Sequence, residues 1–192
     1  AALALLLFLV GLDVWKSQKE AAFAHSGLSM GTVVTAQLYG PRGENASAAL
    51  FSAFDTLEKE RISWRVESSE IAKINASSGS AVPISEQTAS YLRRAAEVSE
   101  RSGGALDCTV GALTKLWDIG GERARVPSPG EIAAALQTVG WQQVSLEARQ
   151  AKLKSGQALD LGAIGKGIAC DEAKRILDDT HLSGAVISVG GS

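Results

Sequence analysis

Cysteine is nearly absent from this chain, which contains Cys108 and Cys170 in 192 residues. The two residues lie far apart and lack the Cys-x-x-Cys spacing of zinc ligands. The sequence therefore argues against a structural zinc site and against a disulfide framework. A single bridge between them stays open as an alternative, but two small apolar side chains in packed positions are the favoured interpretation.

An excess of basic charge is also lacking. The chain has 19 lysines and arginines against 21 acidic residues, a formal net charge of −2, and its cations are scattered rather than clustered. We therefore expect no nucleic-acid partner. With 45% hydrophobic and 21% charged residues, the composition is that of a globular protein rather than a disordered or fibrous one. The length fits one domain or a little more.

A hydrophobic run opens the chain, where AALALLLFLVGL precedes a charged stretch. As given, the run is shorter than the ~20 apolar residues that span a bilayer. Both ends of the sequence look cut, and a missing upstream part would make the run a signal-peptide core or a membrane anchor. We interpret residues 1–20 as this segment and a charged linker, and favour an uncleaved anchor over a cleaved signal peptide, with a buried helix of the domain as the alternative. Export to the periplasmic face of a bacterial inner membrane is the working hypothesis.

Helix and strand signals are interspersed along the rest of the chain. Apolar periodicity and turn residues predict the following elements: a strand at 27–40; helices at 46–62, 69–76 and 85–102; a capped helix at 128–140; strands at 141–146, 151–154 and 158–161; a helix at 166–179; and a strand at 185–189. Because hairpin signals occur among the helices, we expect an α+β fold with a mixed or antiparallel sheet.

The stretch DLGAIGKGIACDEA, residues 160–173, has the glycines and lysine of a phosphate-binding loop. It meets neither the Walker pattern nor the dinucleotide fingerprint, because its order is wrong for both. Its chemistry still favours an anion, since a helix start presents unpaired N–H groups and Lys166 adds a charge. Asp160 could accept a hydrogen bond from a base or flavin edge, or help hold a cation. The alternative is a tightly packed helix start with Lys166 in solvent.

Three other segments support a ligand site. GGALDCTVGALTKLWDIGG, residues 103–121, surrounds Asp107 with small residues, and SMGT, residues 29–32, places Met30 before a glycine. Trp64 lies in a polar stretch, where its ring could stack on a planar ligand. A place in the core explains Met30 or Trp64 equally well.

Taken together, five segments resemble the ApbE family, the FAD:protein FMN transferases. They are MGT at 30–32, SWRVESSEIAKIN at 63–75, GALDCTVGALTKLW at 104–117, DLGAIGKGIACD at 160–171 and VGG at 189–191. The resemblance implies an ApbE-like (T-fold-like) domain with residues 27–192 as its N-terminal part. A DxxT-type segment that completes the family's metal site is expected beyond this sequence. The fragment alone would then bind FAD poorly and catalyse little.

The resemblance also implies an activity. Family members bind FAD and Mg²⁺, and transfer the FMN moiety to a threonine or serine hydroxyl of an acceptor flavoprotein with release of AMP. The positions that match FAD contacts are Met30, Trp64, Ala105, Leu106, Asp107, Asp160 and Lys166. Ala163 matches a position whose backbone carbonyl supplies a metal ligand, and a hard oxygen of this kind suits Mg²⁺.

Some parts of the chemistry stay open at this stage. No general base is assigned, because His25 and His181 are lone histidines that we expect on the surface without an evident partner. Two alternative functions remain: an FAD pyrophosphatase that produces FMN and AMP, and an exported FAD-binding protein without turnover.

Overall fold

Helices and short strands alternate in the computed structural model, which describes residues 11–12 and 22–191. The elements of residues 22–191 are β1 (Ala22–Ser29), β2 (Thr32–Tyr39), α1 (Gly43–Thr56), α2 (Glu70–Ala76), β3 (Val82–Pro83), α3 (Glu86–Arg101), α4 (Gly111–Trp117), α5 (Pro129–Leu136), β4 (Ser145–Glu147), β5 (Gln150–Lys152), α6 (Gly162–Asp178) and β6 (Gly184–Val189). A π-helical turn, Leu57–Ile62, follows α1, and a 3-10 turn, Trp141–Gln143, precedes β4. The predicted α+β class is confirmed.

The described residues divide into two compact units. One contains the residues up to Asp55 together with those from Lys166 onward, and the other contains Thr56–Gly165. The predicted signal or anchor segment, residues 1–20, lies outside the described residues except for positions 11 and 12. In the described part of the chain, no helix has both the length and the apolar character needed to cross a membrane.

The first unit is built on an antiparallel sheet with the strand order β1-β2-β6. The sequence predicted one strand over residues 27–40, and this was wrong. Met30 and Gly31 both have positive φ, 55° and 69°, and form the two-residue turn between β1 and β2. Such turns ordinarily carry Asn-Gly, because asparagine and glycine tolerate left-handed backbone. Methionine at the first turn position gives no such signal, so the turn could not be recognised from the sequence.

The core of the first unit lies on one face of this sheet. Val34, Ala36 and Leu38 alternate with exposed neighbours along β2 and are fully or almost fully buried, as expected for a strand with one covered face. Helix α1 packs on β1 through the Phe51 ring. A Cβ atom at Gly27 would lie 2.7 Å from Phe51 Cε1, so this contact needs glycine.

In the second unit serine side chains cap the helix starts. Ser69 and Ser85 accept hydrogen bonds from backbone N–H groups at the starts of α2 and α3, and Ser128 and Glu131 form a capping box at the start of α5, the helix for which the sequence predicted a cap. These serines satisfy helix N–H groups that would otherwise lack partners. Helix α5 ends at Leu136 rather than at the predicted Gly140.

The second unit also has a small antiparallel sheet with the strand order β3-β5-β4. Its hairpin strands are shorter than predicted, three residues each. The predicted strand at residues 158–161 is an extended segment with one parallel bridge, between Val110 and Ala158. The next helix begins at Gly162, four residues earlier than predicted.

Candidate functional site

The glycine-rich stretch that the sequence predicted as a loop forms the first turns of α6. Asp160 Oδ1 accepts a hydrogen bond from Gly162 N at 2.8 Å, and Ile164 N donates to Leu161 O at 3.0 Å. The Asp160 carboxylate thus lies directly at the helix N-terminus, where a positive dipole end favours anions. Ala163 lies exposed in the first turn, and the metal-ligand role of its carbonyl stays a prediction.

Asp160 is held in place from two directions within the second unit. Its own N–H donates to Cys108 O at 2.8 Å. Next to it, Leu159 N donates to Asn75 Oδ1 at 2.7 Å, and Asn75 Nδ2 donates to Leu159 O at 2.9 Å. Asn75 replaces a strand partner by satisfying both backbone groups of Leu159. The structure therefore joins the IAKIN, GALDCTVG and DLG segments around the start of α6.

Gly111, the glycine of the TVG segment, lies against the backbone of the segment before α6. Its N–H donates to Ala158 O at 3.0 Å. A Cβ atom at this position would lie 2.7 Å from the Ala158 carbonyl carbon and oxygen, which no real side chain tolerates. Glycine permits the two backbones to meet, so this residue has a packing role.

Asp107, a predicted FAD contact, has both carboxylate oxygens engaged inside the protein. Oδ1 accepts hydrogen bonds from Thr109 N at 2.8 Å and Thr109 Oγ1 at 2.6 Å, and Oδ2 accepts one from Trp141 N at 3.0 Å. The carboxylate ties its own loop to the start of the 3-10 turn. Ala105 and Leu106 lie on the same loop and are exposed and partly buried, respectively.

The two cysteines have different environments, and neither forms a disulfide. Burial, with the nearby carboxylates of Asp107 and Asp160, raises the pKa of the Cys108 thiol to about 12. This cysteine is buried, as the sequence predicted for a small side chain in a packed position. The same prediction was wrong for Cys170, which is exposed on α6.

In the first unit, three of the sequence segments converge around Gly190. This residue has φ of +68°, and a Cβ atom placed on it would lie 2.7 Å from Lys166 Nζ and 2.8 Å from Thr32 Oγ1. Its N–H donates to Val33 O at 2.9 Å, which fixes the glycine at the end of β6. Because glycine has no side chain, the Lys166 ammonium group and the Thr32 hydroxyl can lie in the space next to its Cα atom. Thr32 and Gly190 lie within the MGT and VGG segments, but neither was among the predicted site residues.

Met30 occupies a strained position beside this cluster. Left-handed backbone costs a residue with a side chain about 1–2 kcal/mol, and such strain is concentrated at functional sites. Ser29, the last residue of β1 and directly before Met30, is buried, and its Oγ has no hydrogen-bond partner among residues 22–191. The turn therefore carries two features that folding alone does not favour.

Trp64, the aromatic residue predicted to stack on a ligand ring, is partly exposed. The guanidinium carbon of Arg65 lies over its ring, 4.1 Å from the centroid. One face of the indole is therefore covered by a cation that was not among the predicted site residues.

The predicted site residues fall into two groups, one in each unit. Met30 and Lys166 belong to the first unit, whereas the others belong to the second, namely Trp64, Ala105, Leu106, Asp107, Asp160 and Ala163. Over residues 11–12 and 22–191, no three side chains of histidine, cysteine, aspartate or glutamate lie close enough together to hold a metal ion.

The histidines were expected on the surface without partners. Both are exposed, but His25 has partners. Its Nδ1 lies 2.8 Å from Ser47 Oγ, and its ring stacks on Phe51 with 4.3 Å between centroids. His181 lies in left-handed backbone, with φ of 56°. These contacts give His25 a structural explanation, and they assign no general base.

Comparison with known proteins identifies the family. A sequence model described as the ApbE family matches residues 30–192. This chain belongs to the ApbE family. The chain is 33% identical to the FAD:protein FMN transferase of Treponema pallidum over 182 residues, which are 88% of this chain and 50% of the relative.

Two solved structures share the ApbE fold. The ApbE protein of Thermotoga maritima is 28% identical and superimposes with a TM-score of 0.83 over 88% of this chain and 57% of its own. The apo flavinyl transferase ApbE of Pseudomonas stutzeri is 25% identical, with a TM-score of 0.80 over 90% of this chain and 56% of its own. The predicted ApbE-like fold is therefore confirmed.

The chain spans about half the length of the curated ApbE relatives it matches. It corresponds to 50% of the Treponema pallidum protein and 59% of the Escherichia coli protein. Family and fold are thus established for this part of the protein.

Proposed function

We propose that the full-length protein transfers the FMN moiety of FAD to a threonine or serine of an acceptor flavoprotein. The observation that carries the proposal is the ApbE-family match over residues 30–192, because relatives over this region are named FAD:protein FMN transferases. Asp160 lies just before α6 and Lys166 lies in its first turns, and a lysine at a helix start supports a phosphate-containing ligand.

The reaction is a phosphoryl transfer. The acceptor hydroxyl oxygen forms a bond to the phosphorus of the FMN half, the bond from that phosphorus to the bridging oxygen breaks, and AMP leaves with the electron pair. The hydroxyl proton passes to solvent or to a base outside the residues assigned here. Such transfers depend on positioning and charge neutralisation, and the chain supplies groups for both.

Lys166 is the residue that we propose binds the pyrophosphate. Its ammonium group lies beside Thr32 Oγ1 in the room left by Gly190, so a charged and a neutral donor lie together. Charge-assisted hydrogen bonds to phosphate are stronger than neutral ones. Trp64 would bind the flavin ring by stacking, and Asp160 would accept a hydrogen bond from the ligand through the oxygen that does not bind Gly162 N.

Magnesium fits the oxygen donors of this chain. Mg²⁺ is commonly held by one or two protein oxygens together with water and substrate phosphates. The Ala163 carbonyl is an oxygen of this kind, and the residue is exposed in the first turn of α6. When bound, the ion would neutralise charge on the pyrophosphate.

The test is a product analysis of the full-length protein with FAD, Mg²⁺ and an acceptor protein that bears a threonine flavinylation site. We expect stoichiometric AMP by chromatography and a covalent flavin on the acceptor by mass spectrometry and gel fluorescence. AMP with free FMN, whether or not the acceptor is present, would instead identify an FAD pyrophosphatase. Unchanged bound FAD after long incubation would identify a binding protein without turnover.

We also propose that the protein works at the periplasmic face of the inner membrane. The support is the hydrophobic run of residues 1–12 followed by charged residues, which is typical of a signal or anchor. Membrane fractionation with a periplasmic protease-accessibility assay tests it. Recovery of the intact protein in the cytoplasmic fraction would refute it.

A further inference from the structure

Arg65 makes three contacts at once in the second unit. Its guanidinium group lies over the Trp64 ring at 4.1 Å, its Nη1 donates to Asp118 Oδ1 at 2.8 Å, and its Nη2 donates to Ile119 O at 3.0 Å. A planar guanidinium group can stack with its face while its edge donates hydrogen bonds. The position of the cation over the indole is therefore set by two bonds that lie outside the stack.

The other end of this connection, Asp118, is held by several contacts of its own. Asp118 ends α4 in left-handed backbone, with φ of 45° and ψ of 41°, and its N–H donates to Thr114 O. Its second carboxylate oxygen accepts from Arg123 N at 3.1 Å. The hydrogen bond from Arg65, then that from Arg123, holds the pKa of this carboxyl below its usual range. A Cβ atom at Gly121 would collide with the carboxylate, so the surrounding loop is closed tightly around it.

We propose that Arg65 is a positioning residue for the flavin. Held by Asp118 and Ile119, the guanidinium group covers one face of the Trp64 indole and fixes the ring, so that the flavin ring stacks on the opposite face. This inference rests on the proposed function, because it takes FAD as the ligand. It assigns Arg65 no contact with the reacting phosphorus.

The ion pair itself does not explain the arrangement. Arg65 and Asp118 have side chains 43% and 12% exposed, and a pair with one exposed partner contributes little to stability. Elsewhere in the same unit, Arg125 makes two hydrogen bonds to Glu131, at 2.6 and 3.1 Å, with a similar exposure of 48%. Arg125 thus offers a matched control for a charged, paired arginine.

The experiment is an FAD titration of the full-length protein with Arg65→Met, Asp118→Ala and Arg125→Met. A Trp64 ring that has to be ordered on binding lowers the affinity for FAD. We therefore expect about 3- to 10-fold weaker binding in Arg65→Met and Asp118→Ala, and wild-type affinity in Arg125→Met. The two variants change the charge in opposite directions. A plain charge effect on the anionic FAD would weaken binding in Arg65→Met and strengthen it in Asp118→Ala, whereas positioning weakens both.

A spectroscopic measurement separates positioning from general damage. Flavin fluorescence should be less quenched in the Arg65→Met complex than in the wild-type complex, and Arg65→Lys should give an intermediate value. In a Trp64→Ala background, Arg65→Met should cause no further loss of affinity. Circular dichroism checks that each variant is folded. If Arg65→Met does not fold, Arg65→Lys takes its place in the titration and the fluorescence measurement.

The outcomes are distinguishable. Wild-type protein that binds no FAD would overturn the proposed function together with this inference. FAD binding with unchanged affinity and quenching in Arg65→Met or Arg65→Lys would overturn the inference alone. An equal loss in the presence and absence of the Trp64 ring would also overturn it.

Discussion

Replacing Gly190 with alanine would place a methyl group in occupied space. The new Cβ atom would lie 2.7 Å from Lys166 Nζ, 2.9 Å from Lys166 Cε and 2.8 Å from Thr32 Oγ1. Cβ atoms do not approach other heavy atoms this closely, so a neighbour must move. The lysine tip is the far end of a flexible chain, whereas the threonine is β-branched and lies in a paired strand. We expect the Lys166 ammonium group to be displaced.

The cost to stability has two parts. Alanine in left-handed backbone costs about 1 kcal/mol relative to glycine. Movement of the lysine tip adds little, because its side chain has other rotamers. The free energy of unfolding should therefore fall by about 1–2 kcal/mol, which a domain of ordinary stability tolerates.

The cost to FAD binding should be larger. If Lys166 donates to the pyrophosphate, its displacement removes a charged hydrogen bond, which contributes about 1.5–3 kcal/mol. This range corresponds to about a 10- to 150-fold increase in Kd for FAD. Fluorescence titration of the full-length variant with FAD would measure it, and urea unfolding would measure stability.

The neighbouring glycine supplies a matched control. Gly191 has φ of +79°, but a Cβ atom placed on it would meet nothing within 4 Å. Gly191→Ala should therefore carry the same backbone cost without displacing the lysine, and FAD affinity should stay close to wild type. If the two alanine variants bind FAD with the same affinity, whether unchanged or equally weakened, the reasoning that Gly190 makes room for Lys166 is refuted.

Three further predictions follow from the described contacts. Asn75→Leu leaves the buried N–H and C=O of Leu159 without partners, and should lower the unfolding free energy in urea by about 2–4 kcal/mol; an unchanged urea midpoint would contradict this. At pH 8 a maleimide should label Cys170 in the folded protein and Cys108 only after unfolding, because a thiol with a pKa of about 12 is protonated there; rapid labelling of Cys108, mapped by mass spectrometry, would disagree. Met30→Asn suits left-handed backbone and should raise stability by about 0.5–1 kcal/mol while weakening FAD binding, and tighter binding in titration would argue against a Met30 contact.

The parts of the fold that were predictable are those encoded by local contacts. Ser69 and Ser128 cap helices through backbone groups three residues away, so the sequence window contains the whole interaction. The β1–β2 turn was not predictable in this way, because its first residue is Met30 in a backbone region that methionine disfavours. The start of α6 was also predicted wrongly, because there the local residues indicate the wrong structure. Its glycines indicate a loop, but the turn is closed by the Asp160 side chain, and glycine lowers helix stability without forbidding it.

For the candidate site, the sequence names residues but does not tell which of their polar atoms are already bonded within the protein. Asp107 carries a carboxylate in a segment typical of the family, but both of its oxygens are taken, one by Trp141 N from 34 residues away. Arg65 showed no signal, since an exposed arginine in a polar stretch is ordinary, and its partner Asp118 lies 53 residues along the chain. Such partners are set by tertiary structure. A family motif therefore names candidate residues, whereas the long-range hydrogen bonds decide which of their polar groups remain free to meet a ligand.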